Sequence, residues 1–93
     1  MTKAIWNNIV IAESDKCIEL ENNQYFPTKS VKMQYLKKSG NKYQCAWKGI
    51  ADYYDIIIKG KANKDAAWCY PNPTPPAKQI KGYFGFWKGV KVE

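Results

Sequence analysis

The amino-acid sequence predicts a mainly β fold: a small single domain over residues 1–93, built as an antiparallel sheet or meander with one or two short helical turns. Three observations carry this. Short segments with period-2 alternation recur from end to end, Asn-Asn and Gly turn signals separate them, and no long amphipathic helix or 20-to-50-residue repeat is present. At 93 residues, folding buries roughly 60–70% of the unfolded surface, enough for one modest core and no second domain.

Lys3 to Trp6 and Ile9 to Glu13 flank Asn7-Asn8, whose tolerance of positive φ suits a two-residue hairpin. Ser14-Asp15-Lys16 turns into Cys17 to Glu21, where Ile18 and Leu20 face one side and Glu19 and Glu21 the other. Asn22-Asn23 turns again into Gln24-Tyr25-Phe26, and Pro27, with no N–H to give, ends that strand or confines it to an edge. Thr28 is placed as the cap of a short helical turn through Val31, followed by a short strand, with Ser39-Gly40-Asn41 as a loop. Lys42 to Cys45 begins another strand, which Trp47-Lys48-Gly49 interrupts, Gly49 permitting a bulge or close approach by a ligand.

Ile50 to Lys59 carries apolar residues on both faces, as a central strand does, and Gly60 closes it. Lys61 to Asp65 is expected to be a polar turn and Ala66 to Tyr70 an apolar extended segment. Pro71, Pro73, Pro75 and Pro76 make a stiff connection, Pro76 to Ile80 a short helix, and Gly82 its end. Tyr83 to Trp87 and Val90 to Glu93 are expected to pair as strands across a Lys88-Gly89 hairpin turn.

The composition, 45% hydrophobic, 15% aromatic and 25% charged, is that of a globular domain with an excess of rings. No apolar run approaches the roughly 18–20 residues of a membrane span, and no signal-peptide core follows Lys3. A soluble cytoplasmic protein without membrane contact is expected. Cys17, Cys45 and Cys69 lack the pairwise spacing of a zinc knuckle, and the chain has no histidine, which removes the commonest metal ligand and every Ser-His or Cys-His nucleophile pair. No metal and no cofactor is therefore expected, and no residue is assigned a catalytic role.

The net charge is +7 and every basic residue is lysine. Lysine neutralises phosphate as a point charge but lacks the guanidinium fork that reads guanine edges, and these lysines are dispersed. Nucleic acid is thus an unfavoured partner, supported only by lysines interleaved with rings at Tyr35 to Lys38 and Trp47-Lys48, a pattern suited to single strands.

The densest chemistry lies in Cys45-Ala46-Trp47-Lys48-Gly49. In a pocket, Trp47 would supply a flat wall, Lys48 a partner for an anionic group and Gly49 access to the backbone. A lysine beside a dry aromatic wall also loses its proton more readily, as a base or amine nucleophile would. The competing reading packs Cys45 and Trp47 in the core, fits Gly49 to a bulge and leaves Lys48 solvated. Trp68 and Tyr70, two apart on an extended segment, project from one face and can stack on a planar ligand, with Tyr25 and Tyr83 as further rings. Asp65 is a candidate to hold a ligand hydroxyl or pair with Lys48. Asp52 and Asp55, three apart on a strand, point to opposite faces and make a poor magnesium pair.

Glu21 to Pro27, Cys45 to Gly49 with Ala51 and Tyr53, Ala66-Ala67-Trp68 with Tyr70-Pro71, and Ile80 to Tyr83 with Phe86 together resemble the family catalogued as domain of unknown function 427. The resemblance spans almost the whole chain, with the blocks in order and at similar spacing. It implies a small, mainly β domain of bacterial type, and some members carry a nucleotidyltransferase label. Two departures stand out: Ala46 where the family pattern usually has proline, and Tyr43 where threonine is common. The expected partner is a small planar or anionic ligand held by Trp47, Lys48, Trp68, Tyr70, Tyr25, Cys45 and Asp65. The alternatives are a protein-interaction module, including a homodimer, a nucleotidyltransferase-like enzyme and a single-strand binder.

Overall fold

The computed structural model describes all of residues 1–93 as nine strands in three antiparallel sheets. The first sheet has the order β2-β1-β9 and comprises β1 (Thr2–Trp6), β2 (Ile9–Ser14) and β9 (Lys91–Val92). Asn7 and Asn8 join β1 to β2 with φ of 54° and 63°, the left-handed pair that a two-residue hairpin requires. The second sheet is the hairpin of β3 (Ile18–Leu20) and β4 (Asn23–Tyr25). Its turn is Glu21-Asn22, one residue earlier than expected, because Asn23 is already paired with Leu20; Glu21 therefore stands at the turn tip rather than on a strand face.

The largest sheet runs β5-β6-β7-β8: β5 (Leu36–Cys45), β6 (Gly49–Ile58), β7 (Lys61–Cys69) and β8 (Phe84–Phe86). Strand β6 is central, as its apolar faces predict. Ser39-Gly40-Asn41 is not a loop but an irregularity within β5, where the pairing shifts between Lys38 and Lys42 and Gly40 takes φ 92°. Lys61 to Asp65 is likewise strand, pairing with the end of β6 across a tight Lys59-Gly60 turn. Lys61 to Asn63 form exposed ladder, where the backbone pairs without apolar side chains, whereas Ser39 to Asn41 interrupt the ladder between Lys38 and Lys42.

Thr28 does not cap the 3-10 turn Thr28–Ser30: Pro27 precedes that turn without a side-chain cap, and the Thr28 hydroxyl donates to the Gly82 carbonyl. A second 3-10 turn, Met33–Tyr35, leads into β5, and a third, Pro75–Ile80, follows the proline segment. The expected C-terminal hairpin is absent. Strand β8 pairs with β7, while β9 leaves to pair with β1, Ala4 opposite Val92, closing with two bonds between Lys3 and Glu93 of 2.8 and 3.0 Å. A strand of two residues contributes little ladder to a partner beside it, so the sheet edge that accepts it decides its place.

Strand alternation splits the interior. On β7, Ala67 and Cys69 enter one cluster with Ile56, Ile58, Phe84 and Phe86, against β1 and β2, while Trp68 and Tyr70 enter a second with Tyr25, Ala51, Ala77 and Ile80. The same split occurs at the end of β4, where Tyr25 joins the second cluster and Phe26 the first. The large sheet thus has a core face and a ring-bearing face. The second carries the candidate site.

Candidate functional site

Cys45 and Gly49 are paired at the end of the β5–β6 hairpin, which projects Ala46, Trp47 and Lys48 as its turn. Gly49 has φ 110°, and a Cβ there would lie 3.4 Å from the Asn72 carbonyl oxygen and 3.5 Å from Pro73 Cα. The close approach anticipated from the sequence is therefore made by the chain's own proline segment. Thr74 fastens it, its N–H donating to the Lys48 carbonyl at 3.0 Å and its hydroxyl to that of Trp47. These two bonds tie the turn that carries one inward-directed side chain to the proline segment.

That side chain is Lys48, 7% exposed. Its ammonium lies 5.5 Å from the Trp47 ring centroid and 5.6 Å from that of Tyr70, within cation–π reach of both, and it pairs with the Glu21 carboxylate. Glu21 also accepts the Trp47 indole N–H at 3.2 Å. Burial pulls the Lys48 ammonium toward deprotonation, but the hydrogen bond to Glu21 reverses this, and the net direction is upward from the usual lysine value. The base or nucleophile expected of Lys48 is thus not what this setting favours; Lys48 is held as a cation. Conversely, the hydrogen bonds from Lys48 and then Trp47 draw the Glu21 carboxyl below the usual range.

These two shifts set a pH window for the pair. A lowered carboxyl contributes stability above its unfolded pKa, about 4.3, that is lost as pH falls through the folded value; a raised lysine contributes below its unfolded pKa, about 10.4, and loses it as pH rises through the folded value. The pair is therefore expected to be intact between roughly pH 4.3 and 10.4. A carboxyl carbon NMR titration should give Glu21 a midpoint below the usual glutamate value of about 4.3, and a midpoint at or above that value would contradict the pairing.

Lys48 borders a concavity of about 290 Å³ on the ring-bearing face, lined also by Tyr25, Trp68 and Tyr70, with Tyr43, Tyr53 and Trp87 around it and Asn23 and Ala51 between. Trp68 donates its indole N–H to the Tyr25 hydroxyl at 3.2 Å and meets that ring edge-on, with centroids 6.0 Å apart. Trp87 stands edge-on to Trp68 at 5.7 Å and parallel to Tyr53 at 6.2 Å. Burial pushes the Tyr70 and Tyr25 hydroxyls upward, so both stay protonated donors near neutral pH.

The sequence-derived residues divide accordingly. Lys48, Trp68, Tyr70 and Tyr25 come together around the concavity. Trp47 does not line it; 40% exposed, it flanks Lys48 from outside. Cys45 is half-buried against the second cluster, and Tyr83 packs there as well. Asp65 lies apart from Lys48: it accepts from the Asn41 amide at 2.9 Å, and its carbonyl accepts the Trp87 indole N–H at 2.6 Å, so its contribution is to orient Trp87. Asp52 is engaged by Lys42 and Lys38, and Asp55 accepts the Asp65 N–H at 2.8 Å, so neither carboxylate is free to converge on a metal. The Cys69 thiol, pushed up to about 11 by burial, belongs to the core.

Sequence reasoning missed Glu21, Tyr53, Tyr43 and Trp87 as site residues. Glu21 and Tyr53 stood in the blocks that carry the family resemblance, and Tyr43 at a departure from it. Trp87 had no local signal, since only the β7–β8 pairing brings it beside Trp68.

Residues 1–93 match the family described as a domain of unknown function (DUF427). No curated protein matches the chain.

Proposed function

The chain belongs to the DUF427 family, and we propose that within it this protein binds a small planar ligand carrying an anionic group, stacked among the rings of the large sheet with Lys48 as its charge partner. The reading rests on one observation: six aromatic side chains and a single buried-stem lysine border the same concavity of about 290 Å³. That volume is at the lower edge of the roughly 300–1,000 Å³ common for ligand pockets, which fits one ring system with a small substituent. Flat faces suit offset and edge-on packing with aromatic walls, and a lysine held protonated suits an anion.

2-Naphthoate is a suitable probe. At a hundredfold excess over its Kd, binding adds about 2.7 kcal/mol to the folded state, a rise of roughly 10–20 °C in Tm for a chain of this size. Lys48→Met is expected to abolish most of that rise while changing the ligand-free Tm by only a few degrees. If neither 2-naphthoate nor uncharged 2-naphthamide stabilises the wild-type protein, the pocket reading fails.

An interaction surface is the second reading, because Trp47, Trp87 and Tyr43 are 40%, 44% and 52% exposed. Pairing of a second copy along the free edge of β5 is opposed by Lys37, Lys38 and Lys42 and by the irregularity at Gly40, devices that blunt an edge strand. A dimer in native mass spectrometry, unaffected by the naphthalene probes, would favour this surface over the pocket.

A further inference from the structure

Glu21 occupies the place that an anionic ligand would take. One carboxylate oxygen accepts from the Lys48 ammonium and the other from the Trp47 indole N–H at 3.2 Å, so a single carboxylate spans both donors. The two partners are held very differently. The Lys48 side chain is 9% exposed and its turn is fastened to Thr74, whereas the Glu21 side chain is 45% exposed at the tip of the β3–β4 turn, where Glu21 and Asn22 take φ of 54° and 65°. Releasing Glu21 sends its carboxylate directly into water and opens no core contact. Releasing Lys48 would not be so easy.

We propose that Lys48 and Trp47 form a carboxylate-receiving corner at the rim of the concavity, that the ligand is a planar aromatic monocarboxylate, and that Glu21 is an internal competitor which the ligand's carboxylate displaces. This deepens the pocket reading above and rests on it. The exchange conserves charge at the corner: one carboxylate leaves for solvent as another arrives, so the net gain comes from burying the ligand's ring against Trp68, Tyr70 and Tyr53. Glu21 thereby sets a threshold that a small anion without a ring, such as acetate, does not cross.

The donor set selects carboxylate over phosphate. Two N–H sources match two carboxylate oxygens, and Lys48 is the only cation bordering the concavity. A dianionic phosphate would retain uncompensated charge beside apolar walls, at a desolvation cost that no arginine in this chain relieves.

Isothermal titration calorimetry of the wild-type protein, Glu21→Gln and Lys48→Met with 2-naphthoate, 2-naphthamide and adenosine 5′-monophosphate tests the proposal. If Glu21 fills the corner about 70–90% of the time, removing its charge should tighten 2-naphthoate by about 3- to 10-fold, leave 2-naphthamide unchanged, and leave the nucleotide the weaker ligand throughout. Lys48→Met should erase the preference for the acid over the amide. Equal or weaker 2-naphthoate binding by Glu21→Gln, with the wild type still binding both probes, overturns the displacement while the pocket reading stands. Nucleotide binding without 2-naphthoate binding overturns the carboxylate assignment. No binding of either naphthalene compound sinks both.

Discussion

Phe26→Ala is expected to destabilise the protein by about 3–5 kcal/mol, the usual cost of emptying a fully buried aromatic site. Phe26 is 0% exposed, and its ring meets that of Phe86 edge-on with centroids 5.5 Å apart. Its backbone matters as much as its ring. The N–H and carbonyl of Phe26 exchange two 2.8 Å bonds with Phe84, and this bridge is where the β3–β4 hairpin is fastened to the large sheet. Because Tyr25 precedes it and Glu21 lies in the turn of the same hairpin, Phe26 holds Tyr25 and the Lys48 counter-ion in place from the opposite cluster. A chain of 93 residues has roughly 5–14 kcal/mol of stability, so the variant should melt about 15–30 °C lower, with its residual ligand affinity reduced as well. A loss below about 1 kcal/mol in urea unfolding would mean that the hairpin is held by something other than this bridge and ring.

Gly85→Ala is the second large effect, and it acts through the site itself. Gly85 is paired with Trp68 across β7 and β8, and a Cβ there would stand 2.4 Å from Trp68 Cζ2 and 2.6 Å from Cε2. The indole occupies the space that a side chain on this residue would fill. One added methyl group must push Trp68 away from Tyr25, breaking the indole–hydroxyl bond, and overpacking of this kind costs about 1–3 kcal/mol. Tm should fall by roughly 5–20 °C, and binding of a planar probe should be lost along with the displaced wall. Trp68→Phe combined with Gly85→Ala should be less damaging than the sum of the single changes, because the smaller ring vacates the contested space. An unchanged Tm in Gly85→Ala would contradict the position of Trp68.

Most of the architecture was legible in residues whose chemistry is local. Asn7-Asn8 declared its hairpin through left-handed backbone, Pro27 marked the end of the Gln24 to Phe26 segment, and the two-faced apolar pattern from Ile50 to Lys59 declared a central strand, which runs from Gly49 to Ile58. The misreadings share one cause. The polar start of β7, Lys61 to Asn63, forms strand because a backbone ladder needs no apolar side chain at an exposed position, and Ser39 to Asn41 is carried within β5 as an irregularity between paired Lys38 and Lys42; alternation is silent at both. The destination of β9 was also illegible, since a strand two residues long is placed by whichever edge is open, and that edge belongs to β1, at the other end of the chain.

The candidate site shows the same division. The spacing of Trp68 and Tyr70 and the aromatic neighbours of Lys48 mark them in the sequence, and all three border the concavity. Glu21 was read as one of two acids on a solvent face, because nothing within β3 reveals that its carboxylate reaches a lysine 27 positions later. The sequence offers Asp65 as a holder of a ligand hydroxyl or a partner for that lysine, whereas its hydrogen bonds go to Asn41 and, through its carbonyl, to Trp87. Cross-sheet pairing, not local pattern, chose both partners. Gly49, which the sequence offers for a bulge or for close approach by a ligand, is approached closely by Asn72 and Pro73, so the candidate chemistry of the Cys45 to Gly49 segment falls on Lys48.

The most direct test of a ligand pocket on the ring-bearing face uses the four tryptophans as reporters. In ¹⁵N-labelled protein each indole N–H gives its own resonance, and three of the four have assigned acceptors in Tyr25, Glu21 and the Asp65 carbonyl. Titration with 2-naphthoate is expected to move the Trp68 and Trp87 indole signals together with that of Trp47, whose acceptor Glu21 is displaced, while Trp6, on β1 beside the other cluster, stays still. Saturable shifts confined to Trp6, or no saturable shift at any indole, would contradict the account.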